Sequence, residues 1–400
     1  MKKILALLLA VLMIASLAAC GGSSTNTNTP SSNTSTNTNT TPSNNTPSST
    51  QAPATNDTTP TDPDQAYFDE LIAAAKAEGE LVVYGSCEDP DINAACAAFE
   101  AKYGIRTSWQ RLTGGEVQAK AEEENGNPSA DVWFGGTSDP QAVCASQGLL
   151  EAYQAKNASH LISDMYKDPD GYWHGIYTGV MGFFYNMEAL EEKGIPAPTS
   201  WADLIKPEYE AATIWFSNPN TASTAKLFLN TTVQMWGQEK AEEYWVAFDK
   251  NIDQYTKSGG GPSKNVGIGE CDIGIGFLHD AVYQITQGYD NIGMTIPSDG
   301  TSAEVGAVSI FKGAKHPNAA KLFVEFALTP ECVEQAAPSG SFQFLVLDNA
   351  KNPDVIDQFG LTLDACIDYD FADAKAHTTE RVERFFEVIG SNADDRFKTS

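Results

Sequence analysis

A histidine followed at once by an aspartate, His279-Asp280, sets a hydrogen-bond donor and acceptor beside a carboxylate. The pair lies between two unlike stretches. Asp272 to Leu278 (DIGIGFL) is a short apolar run with β-branched residues and reads as a buried strand. Ala281 to Thr286 carries apolar residues at helical spacing. Polar groups at the carboxyl end of a strand fall where open α/β sheets keep their ligand crevices. The functional reading is a pocket floor. The structural alternative makes Asp280 a helix cap and His279 a satisfied turn residue.

Hydroxyls beside glycines recur at other strand ends. Leu81 to Tyr84 predicts a strand followed by Gly85-Ser86-Cys87, and Ala130 to Phe134 predicts one closed by Gly135-Gly136-Thr137. Thr213 to Phe216 predicts a third, running into SNPNTAST, which places Thr221, Ser223 and Thr224 ahead of a helix from about Ala225. Backbone N–H and hydroxyl groups at a helix N-terminus make an anion cradle, although simple capping uses the same residues. Tyr255 to Pro262 (YTKSGGGP) adds a Gly-rich loop with Ser258, Gly259 and Gly260. It lacks Gly-Lys-Ser/Thr, so a nucleotide P-loop is excluded.

The elements around these loops alternate. Helical spacing over Tyr67–Glu78, Asp91–Tyr103 and Pro140–Gln147 interleaves with strand patterns at Leu81–Tyr84, Ile105–Trp109 and Ala130–Phe134. A further helix is predicted after Gly114-Gly115-Glu116, and Val180–Asn186 predicts another buried strand followed by a helix through Lys193. This order predicts an α/β fold with a mostly parallel sheet covered on both faces. Of 400 residues 42% are hydrophobic, enough for two domains with real cores. The formal charge of −28 is spread along the chain and argues against non-specific nucleic-acid or anionic-membrane binding. A local cradle can still hold an anion, and the global charge then serves solubility.

Residues 1–20 (MKKILALLLAVLMIASLAAC) read as a secretory signal: two lysines, an apolar core, then small residues. Its end, Leu17-Ala18-Ala19-Cys20, resembles a bacterial lipobox, in which Cys20 becomes the lipid-carrying N-terminus; the alternative is an ordinary signal with a chance cysteine. Removing Lys2 and Lys3 leaves 23 basic against 53 acidic residues, a formal charge of −30. Residues 21–64 are almost all Ser, Thr, Asn, Pro and Gly, the composition of a disordered tether.

Several segments in one order resemble a known family: ELVVYGSCED, SADVWFGGTSDP, GFFYNMEAL, SWADLIKPEY, DIGIGFLHDAVY and TSAEVGAVSIFKGAKHPNAAKLFVEFAL. Together, over roughly residues 80–336, they are similar to the extracellular solute-binding proteins of bacterial ABC importers. The branch resembled includes ferric-ion, 2-aminoethylphosphonate and hexose-phosphate binders. The resemblance implies a two-lobed periplasmic-binding-protein-like fold (type II), each lobe a mostly parallel sheet flanked by helices, with the ligand cleft at the hinge. Lobe one would be 65–172 plus 297–345, and lobe two 173–296 plus 346–400. It implies a monomeric receptor, not an enzyme, that needs no cofactor. The receptor would hand a small anionic solute to a permease and its ATPase, anchored outside the cytoplasm through Cys20.

Ferric-ion binders of this family carry adjacent tyrosines after the strand matching Asp272–Leu278. Here the place reads Leu278-His279-Asp280, which counts against iron. Histidine then aspartate is similar to the sugar-phosphate binders, in which this pair, a serine after the first strand and a downstream glutamate contact ligand. The matching positions are His279, Asp280, Ser86 and Glu304; the alternative for Glu304 is a surface strand residue. Carboxylates would accept from sugar hydroxyls, while Ser86, Thr137, loop amides and an imidazolium His279 would donate to the anion. The implied cargo is a sugar phosphate such as a hexose phosphate; the alternatives are ferric ion or another metal, and 2-aminoethylphosphonate.

Two rival classes use the same residues. A hydrolase would use Ser86, His279 and Asp280, but no G-x-S-x-G elbow surrounds Ser86 and Asp280 is adjacent in sequence to its histidine. A metal receptor would use His279, Asp280 and Glu304 as ligands. The six cysteines after Cys20 have no CxxC spacing, which argues against zinc. Outside the cytoplasm an even number suggests disulfides, and Cys96 and Cys144, both on predicted helices of lobe one, are the expected pair. In an obligate anaerobe all six would stay buried thiols.

Overall fold

A computed structural model describes residues 63–390 and 395–397. The signal, Cys20 and almost all of the predicted tether lie outside these residues. The first half opens with α1 (Pro63–Glu78), β1 (Glu80–Gly85), α2 (Asp89–Tyr103), β2 (Arg106–Arg111), α3 (Gly114–Glu124), β3 (Val132–Thr137) and α4 (Ser138–Ser146). A short β4 (Leu150–Glu151) precedes β5 (His174–Asn186) and α5 (Met187–Lys193). The second half follows: β6 (Ile214–Ser217), α6 (Ser223–Trp236), α7 (Gln238–Asp249), β7 (Ile252–Thr256), α8 (Gly261–Ile268), β8 (Ile273–Phe277), α9 (Leu278–Thr286) and β9 (Ile292–Thr295). The chain then returns through β10 (Ala303–Phe311), α10 (Pro317–Ala327) and α11 (Pro330–Val333). It ends with β11 (Phe344–Leu345), α12 (Asp354–Gln358) and α13 (Phe371–Ile389).

The strands follow the order β2-β1-β3-β10-β5-β8-β6-β7. β1 pairs in parallel with β2 and β3, and β6 in parallel with β7 and β8. Between these parallel groups run two antiparallel strands. β10 pairs with β3 and β5; the first part of β5 pairs with β10, and its second part, Met181–Tyr185, with β8. One strand thus serves both halves. The alternation of helices and strands anticipates the parallel groups, while residue pattern cannot reveal the direction of a strand buried on both faces.

The apolar runs have a direct cause. β1 and β8 are covered on both faces, so they lack the alternation that marks the edge strand β2, whose residues switch between exposed and half-buried. Leu81, Val83, Phe99 and Phe323 form one core of the first half, and Tyr84, Trp133 and Phe311 another on the opposite face. In the second half Trp201, Phe216, Phe228 and Trp245 pack on one side of β6 and β8, and Phe184, Val266, Leu278 and Val282 on the other. Each half is a sheet with helices on both faces.

The expected Cys96–Cys144 disulfide is absent. Cys96 packs with Phe99 and Ile92, Cys144 with Trp133 and Tyr84, so the sheet stands between them. Cys87, Cys96, Cys144, Cys271, Cys332 and Cys366 are all free thiols. Burial pushes the Cys96 and Cys144 thiols up to about 12, so neither is a reactive thiolate at neutral pH. Accordingly, reductant should leave the melting temperature unchanged, and the five buried thiols should react with a thiol reagent only after denaturation, with half-buried Cys366 reacting first. A melting temperature lowered by reductant would contradict the free-thiol assignment.

Candidate functional site

The first half brings the ends of β1 and β3 to one place. Ser86 follows β1 directly, and its Oγ accepts from Trp133 Nε1 at 2.9 Å, which leaves the Ser86 hydroxyl proton free to donate. Gly136, near the end of β3, has φ 73°, and a Cβ there would stand 2.6 Å from Ser86 Cβ. Glycine is required on both counts. Its N–H donates to Tyr177 Oη at 2.9 Å. The N-terminus of α3 also faces this place, fixed by a capping box: Thr113 Oγ1 accepts from Glu116 N, and Glu116 Oε2 accepts from Thr113 N.

The second half answers with three helix N-termini. α6 begins with Ser223 and Thr224, α8 follows the Ser258-Gly259-Gly260 loop, and α9 begins at Leu278. His279 and Asp280 therefore lie in the first turn of α9, and Phe277 is its N-cap. Neither residue caps the helix; both face a cavity.

That cavity, about 1050 Å³ including the open space at its mouth, is lined by residues from both halves. Ser86, Ser223, Thr224, Ser258, Gly259, Gly260, His279, Asp280 and Glu304 all line it. Thr137 and Thr221 do not. Thr137 is buried behind Gly136, since successive strand residues point to opposite faces, and its Oγ1 has no hydrogen-bond partner. Thr221 turns away and donates to the Lys257 carbonyl at 2.7 Å.

His279 stacks on Phe277, with ring centroids 5.5 Å apart and planes within 10°. Its Nε2 lies 3.7 Å from Asp280 Oδ1 and 3.6 Å from Glu304 Oε1, beyond normal hydrogen bonds, and its buried Nδ1 has no partner. Burial pushes the imidazole down to about 3, so it is neutral, not the imidazolium expected from sequence. Burial, then the nearby charge of Glu88, raises Asp280 to about 7; burial and Asp280 hold Glu304 well above the carboxylate range. Asp91, on the first turn of α2, is also raised to about 7, chiefly by burial, and its Oδ1 has no partner. The floor is a set of acids whose burial outweighs the cations nearby: Lys264 and Arg111 act on Asp280 without bringing it down to its ordinary value.

Several lining residues escaped the sequence reading: Glu88, Asp91, Arg111, Tyr177, Lys264 and Ser341. Glu88 and Asp91 look like ordinary first-turn acids of a helix, and Arg111 like the end of an edge strand. The one usable signal was the unbroken ED pair after GSC at a strand's carboxyl end.

The geometry limits the chemistry. Ser86 Oγ is engaged by Trp133, and His279 makes no hydrogen bond through Nδ1, so no base activates that serine. Among the described residues no group of three or more His, Cys, Asp or Glu is arranged to hold a metal ion. What the site offers is hydroxyls, helix N-termini and carboxyls: a binding surface.

Known proteins agree in kind. The family model for bacterial extracellular solute-binding proteins matches residues 94–346. An uncharacterised Haemophilus influenzae protein is 40% identical over 74% of this chain and 86% of its own. A probable ABC transporter periplasmic-binding protein of Sinorhizobium fredii is 25% identical over 53% of this chain and 60% of that protein. The periplasmic binding protein AfuA of Actinobacillus pleuropneumoniae, solved with fructose-6-phosphate bound, superposes with a TM-score of 0.74. It is 36% identical, covering 78% of this chain and 99% of that one.

Proposed function

Because the chain belongs to the bacterial extracellular solute-binding protein family, and so is a receptor of the ABC transporter class, we propose that its cargo is a sugar phosphate such as a hexose phosphate. The observation that carries this reading is the two-sided cavity. One side presents helix N-termini with Ser223, Thr224, Ser258 and Ser263, suited to an anion. The floor presents Asp280, Glu304 and neutral His279, suited to sugar hydroxyls. Fructose-6-phosphate in the similar AfuA supports the same class.

In this reading lobe one (residues 65–172 plus 297–345) and lobe two (173–296 plus 346–400) close over the solute, and the closed form docks on a permease with its ATPase. Ligand selects the closed conformer through contacts from both sides. Cys20 carries the lipid anchor, and the receptor works as a monomer without catalysing a reaction.

Thermal-shift screening against fructose 6-phosphate, glucose 6-phosphate, 2-aminoethylphosphonate, dicarboxylates and Fe(III) tests the reading. A ligand at about 100 times its dissociation constant stabilises by about 2.7 kcal/mol. The expected result is a shift with hexose phosphates that His279→Ala removes. A shift with Fe(III) alone would overturn the assignment in favour of a metal receptor.

A further inference from the structure

Among the described residues lining the cavity, the lysine and arginine side chains are Arg111 and Lys264, and both are already engaged. Glu88 Oε1 accepts from Arg111 Nη2 at 2.8 Å, and Glu88 Oε2 accepts from Lys264 Nζ at 3.0 Å. Arg111 Nε also donates to the Cys87 carbonyl at 3.0 Å, which ties the guanidinium to the loop after β1. Glu88 occupies the N-cap position of α2, yet its side chain makes no capping bond; it is turned to the two cations instead. Burial alone would raise its carboxyl, but Arg111 and Lys264 overcome this and hold it below its ordinary value. It is an ionised carboxylate.

This trio marks the solvent end of the cavity. The side chains of Lys264 and Glu88 remain 50% and 37% exposed, against 7% and 4% for His279 and Glu304. Arg111 and Glu88 come from the first half and Lys264 from α8 of the second, so the carboxylate also bridges the cleft. The Gly-rich loop seats against it: a Cβ on Gly260 would stand 3.1 Å from Glu88 Oε1.

A carboxylate held between two cations is a resident anion. We propose that Glu88 is a specificity-determining residue: by occupying Arg111 and Lys264 it restricts the receptor to ligands with one anionic group and turns away those carrying a second toward the mouth. A second phosphate at the mouth meets a fixed like charge and finds its natural partners taken, which is discrimination by repulsion as well as by lost attraction. Removing the carboxylate frees the Lys264 ammonium and leaves the Arg111 guanidinium one carboxylate contact, the longer 3.5 Å one with the exposed Asp89, a site open to a phosphate. The proposal deepens the sugar-phosphate reading by setting the ligand's charge, and it rests on that reading only for the identity of the first anion.

The main test uses an inorganic ligand. Wild type, Glu88→Gln and Glu88→Gln with Lys264→Ala are titrated calorimetrically with inorganic pyrophosphate in the presence of a chelator. Glu88→Gln should bind pyrophosphate about tenfold more tightly than wild type, in line with charge-assisted bonds to two freed cations. Adding Lys264→Ala should abolish the gain. Equal affinity of Glu88→Gln and wild type overturns the proposal, and so does a gain that survives the loss of Lys264. Fructose 6-phosphate is titrated alongside. A wild type silent to it, together with a pyrophosphate gain in Glu88→Gln, overturns the sugar-phosphate reading and leaves the role of Glu88 standing.

Discussion

Asp280→Asn should make the ligand-free protein more stable at pH 8 and a poorer receptor. The half-buried Asp280 carboxyl is raised from 3.8 to about 7, first by desolvation and then by the charge of Glu88. An acid whose folded pKa lies above its unfolded value binds its proton more tightly in the fold. Its contribution is therefore most favourable below pH 4 and is lost as pH rises toward 7. Above about pH 7 the folded chain carries an ionised carboxylate that Lys264 and Arg111 offset only in part, and a neutral asparagine relieves it. Relieving it corresponds to roughly 2–4 kcal/mol.

The difference between variant and wild type should therefore vanish near pH 4, grow up to pH 7 and level off above it. Relief spreads to Glu304 and Asp91, both raised in part by the Asp280 charge. His279 titrates in the opposite sense, because burial lowers its folded value to about 3 and protonation opposes the fold below its usual 6.5. Comparing two chains that both carry His279 removes most of that contribution. Urea unfolding at pH 4 and pH 8 reads the effect, and a variant no more stable than wild type at pH 8 would refute a destabilising charge at Asp280. Hexose-phosphate affinity should fall about 10- to 100-fold with the loss of a charged hydrogen-bond acceptor. Function here is held at the expense of stability.

Trp201→Ala should give the steepest loss of stability in the second half. Its ring is fully buried, edge-on to Phe183 at 4.8 Å and tilted against Phe228 at 5.2 Å. Its indole N–H donates to the Gly300 carbonyl at 2.9 Å, and its own carbonyl accepts from Tyr244 Oη at 2.8 Å. The side chain thus pins the segment before β10 to the core around α6 and α7. Deleting it should lower the unfolding free energy by about 3–5 kcal/mol, the range for buried Phe or Trp truncated to alanine. Trp201→Phe should recover the packing and forfeit the hydrogen bond. If Trp201→Ala loses less than about 1 kcal/mol, the site collapses readily and the residue is not a keystone.

Sequence pattern reached the strand ends and stopped short of side-chain direction. Buried runs such as Leu81–Tyr84 and Ile273–Phe277 announce themselves because nothing polar survives on either face. The His279-Asp280 pair stood out because two polar residues break such a run. Thr137 and Thr221 sit in the right loops, yet one faces backwards from a strand and the other bonds a neighbouring carbonyl. Loop composition does not encode that rotation. Ser341 and Gln343 reach the cavity from a remote segment without periodicity, so only the fold brings them in. The antiparallel sense of β5 and β10 was equally hidden, because strands covered on both faces look alike in either direction.

The pairing of β3 with β10 also dictates an order of assembly. Val132 must wait for Ile310 before its strand has a neighbour on that side, and the whole second half is spelled out between them. On a chain emerging N-terminus first, the edge of β3 stays bare until almost all of the fold has been made. Long-range pairing of this kind is slow to form and leaves a strand edge open to foreign contacts. The second half draws β6, β7 and β8 from one continuous stretch, although Phe385 of α13 joins its core only later. The late return of β10 is then the event that seals the sheet, and a nascent chain cut short before residue 303 would keep an adhesive edge it cannot hide.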